Sequence, residues 1–235
     1  MNMIKHTESL LCNNFIRVEA NRIAKETPPS FLISEEAKEE KIYHEIKKIY
    51  DENVLLAVES LEIIVNQLQT MDCPPQVLKE IWSLETKGDV LEPHRLEEAL
   101  KLNSFSEILG LSPPTLEWMY KVVDHFLRKG EAEKAVQSLY ILNLICPENG
   151  LYWLSLGHSY YTLKQYDKAL EAYQKSYMAD PVDPRGLIWM AHTYEALGHP
   201  QTALEIVDEL VNLLRGEETF SDLEVYQRKL QGARV

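Results

Sequence analysis

Apolar residues recur along most of this chain at helical spacing, and no segment alternates with the period of a strand. Ile42, Ile46 and Ile49, followed by Leu61, Val65 and Leu68, draw one stripe that predicts a long helix from Ser34 to about Gln69. Ser34 supplies an N-cap, and Glu35 and Glu36 place negative charge in the first turn, where the helix dipole favours it. Pro74 and Pro75 break the pattern. A shorter helix over Pro75 to Thr86 ending at Gly88, and another from Pro93 to about Leu102, lead into the segment Phe105 to Gly110. The expectation is an all-α protein.

From residue 115 onward a longer period is superimposed on the helical one. Ala135, Ala169 and Ala203 follow one another at intervals of 34, as do Phe126, Tyr160 and Tyr194, and Pro147 precedes Pro181 by the same interval. Gly130 and Gly198 are two periods apart. Each interval holds one helical hairpin. Small residues such as Gly157 and Ala169 let its two helices approach closely, while Trp153, Leu156 and Tyr160 make a stripe toward the partner helix. Pro181 disfavours helix at Asp180, so the chain turns there. Trp153, Leu156, Gly157, Tyr160, Ala169, Tyr173 and Pro181 stand at the signature positions of a tetratricopeptide repeat, which the segment resembles. Repeats are expected over 116–149, 150–183 and 184–217. The outer two are degenerate: Met119 and Leu187 replace the tryptophan, and Val123 and Ala191 the first glycine. A helix over about 220–231, with Ser221 as its N-cap, is expected to cover the end of the stack.

The expected organisation is therefore a weakly helical or flexible stretch over 1–33, a helical N-terminal extension over 34–111 and a tetratricopeptide helical-hairpin solenoid over 112–235. Glu8 and Glu19 argue against a transit peptide at the start, and no stretch has the apolar length of a membrane span.

Charge narrows the partners. The formal net charge is −13, divided as −8 up to residue 111 and −5 beyond it, and no basic run exceeds Lys47-Lys48. Such a field repels a phosphate backbone, so nucleic acid is not expected as a partner. Cys12, Cys73 and Cys146 are odd in number and far apart, which points to a reducing compartment. No phosphate-binding loop, metalloprotease motif or nucleophile elbow is present, so no enzymatic activity, cofactor or metal is expected. His158 and His192 occupy equivalent positions of consecutive repeats. As a metal pair they lack further ligands at suitable spacing, and groove-lining roles suit them better. Asp124 and Glu117 read as solvated or partner-contacting, and Cys146 as structural.

In a stack of hairpins the first helices line the concave face. Taking the second, fifth, ninth and twelfth helix positions as inward-facing gives Tyr120, Asp124 and Leu127 from the first repeat. The second adds Leu151, Leu154, His158 and Tyr161, and the third adds Arg185, Ile188, His192 and Glu195. That surface is apolar and aromatic with a few polar points, which suits an extended peptide with spaced apolar side chains.

Leu111 to Tyr120 opening the first repeat, Leu156 to Tyr160 with Gln165 to Ala169 in the second, and Asp183-Pro184-Arg185 opening the third resemble the class II type III secretion chaperones, the LcrH/SycD/IpgC family. The likeness spans Leu109 to about Leu214. It implies a bacterial cytosolic chaperone, without enzymatic activity or nucleotide, that holds hydrophobic translocators or related secreted proteins before export and makes no stable membrane insertion. It also implies dimerisation through the N-terminal segment. The first 110 or so residues exceed the family's usual N-terminus, which leaves the Ser34–Gln69 helix open to pairing subunits, covering the groove, meeting a second client or packing on the repeats. The competing reading is a general repeat adaptor for acidic tails. It would want Lys and Asn where this chain has Tyr120 and Asp124.

Overall fold

The computed structural model describes residues 35–87, 106–213 and 220–232, and all its regular elements there are helices. Contacts divide the chain into two compact units, residues 1–119 and 120–235.

In the first unit, α1 (Glu35–Thr70) and α2 (Pro75–Lys87) follow the expected bounds closely. Pro75 sits at the first position of α2, where a missing N–H costs nothing. Ile64 and Leu68 of α1 and Val77 and Ile81 of α2 are buried, and the two helices pack together. A short turn of helix, α3 (Ser106–Leu109), precedes α4 (Pro113–Lys129), which starts three residues before the expected first repeat. The start of α4 is tied to α2 by one carboxylate. Glu80 Oε2 accepts from the Ser112 backbone N–H at 2.9 Å, the Ser112 hydroxyl at 2.8 Å and the Thr115 hydroxyl at 2.6 Å. These bonds hold the Glu80 pKa down to about 2, since they favour the charged form. The readings made for 1–33, and the helix expected over Pro93 to Leu102, lie outside the described residues.

The second unit is a run of hairpins. After α4 come α5 (Ala132–Ile145), α6 (Gly150–Thr162), α7 (Tyr166–Ala179), α8 (Arg185–Ala196), α9 (Pro200–Leu213) and α10 (Phe220–Gly232). Each packs on the next from α5 to α10, and the segment joining α9 to α10 lies outside the described residues. Ala135, Ala169 and Ala203 are all fully buried, which is why the repeat needs a methyl group there. Ser221 lies inside the first turn of α10, so it is not its N-cap.

Turn chemistry repeats with the same period. Gly130, Lys164 and Gly198 are successive equivalents, and all have positive φ, at 73°, 58° and 81°. After each, the next residue donates back to the helix: Glu131 to Phe126, Gln165 to Tyr160 and His199 to Tyr194, at 2.9, 2.9 and 2.8 Å. This six-to-one bond with a left-handed residue ends all three first helices in the same way. Asn149 and Asp183, also one period apart, each accept from the backbone N–H two residues on, at 3.1 and 3.0 Å. The Trp153 indole donates to the Pro147 carbonyl at 2.7 Å, while the Lys175 ammonium of α7 lies 4.5 Å over its ring. The signature tryptophan thus faces its partner helix and also anchors the preceding turn.

Candidate functional site

All eleven residues expected to line the groove lie on α4, α6 and α8, within the unit 120–235. The structure sorts them. On α4, the Tyr120 ring stacks on Tyr152 at 5.3 Å and its hydroxyl is 2.8 Å from Ser155 Oγ. Asp124 is held by Arg128 Nε at 2.8 Å one turn on, and Leu127 is half-buried.

On α6, Leu151 is exposed at 38%, but Leu154 is only 2% exposed. Leu154 forms a core with Ala169 and Tyr173, against which Tyr160, Tyr161, Trp189 and Met190 pack. It serves the contact between repeats and has no surface to offer a partner, which corrects the reading of it as a groove residue. Trp189 and Met190 of α8, from the next repeat, pack over it.

His158, Tyr161 and His192 do come together, around a residue that the repeat register did not select. Trp189 of α8 lies 4.4 Å from the His158 ring, 5.8 Å from Tyr161 and 5.5 Å from His192, and it stacks on Tyr173 at 6.3 Å. The sequence held a signal for it: Arg185, Trp189 and His192 fall at i, i+4 and i+7, one face of a helix. Both histidines pack on this indole. Burial, and then the Arg185 charge, hold the His158 pKa down to about 4, and burial lowers His192 as well. Both rings are therefore neutral at pH 7. Among the described residues no group of three His, Cys, Asp or Glu could hold a metal.

Ile188 is half-buried against the core of the third repeat. Arg185 is exposed at the first position of α8, its Nε 2.9 Å from both Asp183 oxygens and its Nη2 2.6 Å from Oδ2. His192 and Glu195 are occupied by α10. Tyr226 stacks on His192 at 4.3 Å and donates to Glu195 Oε2 at 3.1 Å, and Lys229 Nζ reaches Glu195 Oε1 at 2.8 Å. Tyr226 and Lys229 are the 34-residue equivalents of His192 and Glu195. The closing helix therefore stands in the register of a fourth first helix, while Tyr120, Tyr161 and Trp189 stay partly exposed and Leu151 and Arg185 exposed.

The match to known proteins follows this geometry. Residues 150–181 match the tetratricopeptide repeat family. A chain of a type III secretion complex from Aeromonas hydrophila is similar over 61% of this chain and 98% of its own, at 20% identity and a TM-score of 0.55. This chain shares its helical-repeat fold with a protein of that complex. PcrH, solved with the chaperone-binding region of PopD, aligns over 54% of this chain and 98% of its own, at 21% identity and a TM-score of 0.50. A chain of the CopN-Scc3 complex aligns over 75% of this one and 99% of its own, at 18% identity and a TM-score of 0.52. No curated protein matches by sequence. No helix among the described residues is long and apolar enough to cross a membrane.

Proposed function

We propose that this chain is a bacterial cytosolic chaperone of type III secretion, without enzymatic activity, that holds extended segments of hydrophobic translocators or related secreted proteins. The observation that carries the reading is the half-buried aromatic surface around Trp189, with Tyr161 and His158 beside it and Leu151 exposed at the start of α6, on the fold in which PcrH was solved with a segment of PopD. A translocator bound for a membrane carries apolar segments that aggregate when free, and a groove of this kind shelters some of them. In this reading 112–235 is the binding domain and 34–111 a separate helical extension.

The energetics suit temporary custody. Each apolar client side chain buried on this surface contributes roughly 1.5 to 3 kcal/mol, while ordering the segment costs about 2 to 5 kcal/mol. About five such anchors at mid-range leave a net of about 8 kcal/mol, near-micromolar affinity, from which a client can be surrendered.

The test is calorimetric titration of short overlapping peptides covering the translocators of the source organism. We expect one or two segments to bind, and the double variant Leu151→Asp with Tyr161→Ala, folded by circular dichroism, to lose about tenfold in affinity or more. Undiminished binding by that variant would move the client off this surface.

A further inference from the structure

An extended client lying across helices brings a problem that apolar anchors do not solve. Its backbone carbonyls leave water with no sheet edge to receive them, and each one buried without a donor is costly. A helical groove has no main-chain donors to spare in its middle, so the donor has to be a side chain. We propose that Arg185 supplies it: the guanidinium edge left free by Asp183 donates to uncharged oxygen acceptors, the main-chain carbonyls of the client, and so sets the register in which the client lies. This rests on the groove reading above.

The geometry is specific. Asp183 takes Nε and Nη2 of Arg185 side-on, at 2.6 to 2.9 Å, and also accepts the Arg185 backbone N–H at 3.0 Å. The fork is thereby fixed at the first turn of α8, with its Nη1 edge unused by Asp183. That fixing reduces the ordering cost of a hydrogen bond to a client. Arg185 and Trp189 are one turn apart on one helix face, and the Arg185 charge is felt by His158, whose ring lies 4.4 Å from Trp189. The donor edge thus sits beside the aromatic surface. Arg128 and Lys229 also pair with carboxylates, Asp124 and Glu195, but the Arg128 side chain is 78% exposed and held through Nε alone, so it lacks the two-point fixing of Arg185.

Charge selects a neutral acceptor over a carboxylate. Asp183 already neutralises the guanidinium, and the protein as a whole carries −13, so an acidic client gains little here and meets repulsion from the rest of the surface. A carbonyl needs only the donor.

The experiment uses the full chain and the tightest segment from the peptide titrations. Arg185→Gln should weaken binding about tenfold while the wild type changes less than about twofold between low and high salt. Arg185→Lys keeps the charge without the fork and should weaken almost as much. An ester scan of the peptide, replacing one amide link at a time, should find a position where the weaker carbonyl acceptor costs several-fold in the wild type and nothing in Arg185→Gln. That coupling is a readout that loss of fold alone would not produce. If Arg185→Gln binds within twofold of wild type while Tyr161→Ala still weakens, the groove stands and this proposal falls. Full affinity in Arg185→Lys, or a steep loss with salt, would show that charge is being read, which also overturns it. If no segment binds the wild type, both readings fall.

Discussion

A Cβ atom on Gly157 would lie 2.3 Å from Cε1 of Tyr173 and 2.4 Å from its Cδ1, so the ring of one helix occupies the space that any side chain on the other would need. Tyr173 is fully buried and cannot swing aside. Gly157→Ala alone should therefore destabilise the repeats by about 3 kcal/mol, at or above the upper end for overpacking. Urea denaturation followed by circular dichroism measures it. A loss under about 1 kcal/mol would mean that the second hairpin has room to spread.

Lys164 holds φ at 58° where the neighbouring repeats use Gly130 and Gly198, and a Cβ added at either glycine would meet no atom within 4 Å. The difference between the three turns is thus one of backbone conformation, not of space. Lys164→Gly should raise stability by about 0.5 to 1 kcal/mol, and Gly198→Ala should lower it by about 1 kcal/mol. Paired melting curves of the two variants check both signs.

His158 contributes a pH dependence with a definite sign. Its pKa falls from the ordinary 6.5 to about 4 in the folded chain, so between those values the unfolded chain binds more protons. Stability is full above pH 6.5 and declines as pH falls toward 4. His158→Phe should remove part of that decline, on the order of 2 kcal/mol once partial exposure is allowed for. Its stability measured at pH 7 and pH 4.5 should differ by less than the wild type's. An equal decline in both would assign the acid sensitivity elsewhere, first to His192, whose pKa is lowered in the same sense.

Glu80 acts at lower pH. Its pKa drops from 4.5 to about 2, so its stabilisation is present above pH 4.5 and is lost as pH falls through the interval to 2. Glu80→Gln should cost about 1 kcal/mol at pH 7, since the carboxylate is partly exposed and its three charge-assisted bonds are screened. The gap between wild type and variant in thermal melts should narrow steadily below pH 4.5. A gap that stays constant to pH 3 would mean that the hydrogen-bond count, and not the charge, holds α4 to α2.

What the sequence determined by itself is whatever depends on short separations along the chain. The 34-residue period, the buried alanines, Gly157 at the helix crossing and the left-handed turns at 130 and 198 are all set by local geometry, so residue type and spacing expose them. The same locality made the bounds of α1 and α2 readable from a stripe and a proline pair. Tertiary structure decided the rest. Helix register places a side chain only to within one residue, about 100° of rotation, and that is the difference between Ile188 and Trp189. Whether an inward-facing residue is surface or core depends on what the next hairpin sets against it: α8 closes over Leu154, while α10 covers His192 and Glu195. The bond from Glu80 to Ser112 crosses 32 residues of chain, a distance over which no periodicity in the sequence speaks.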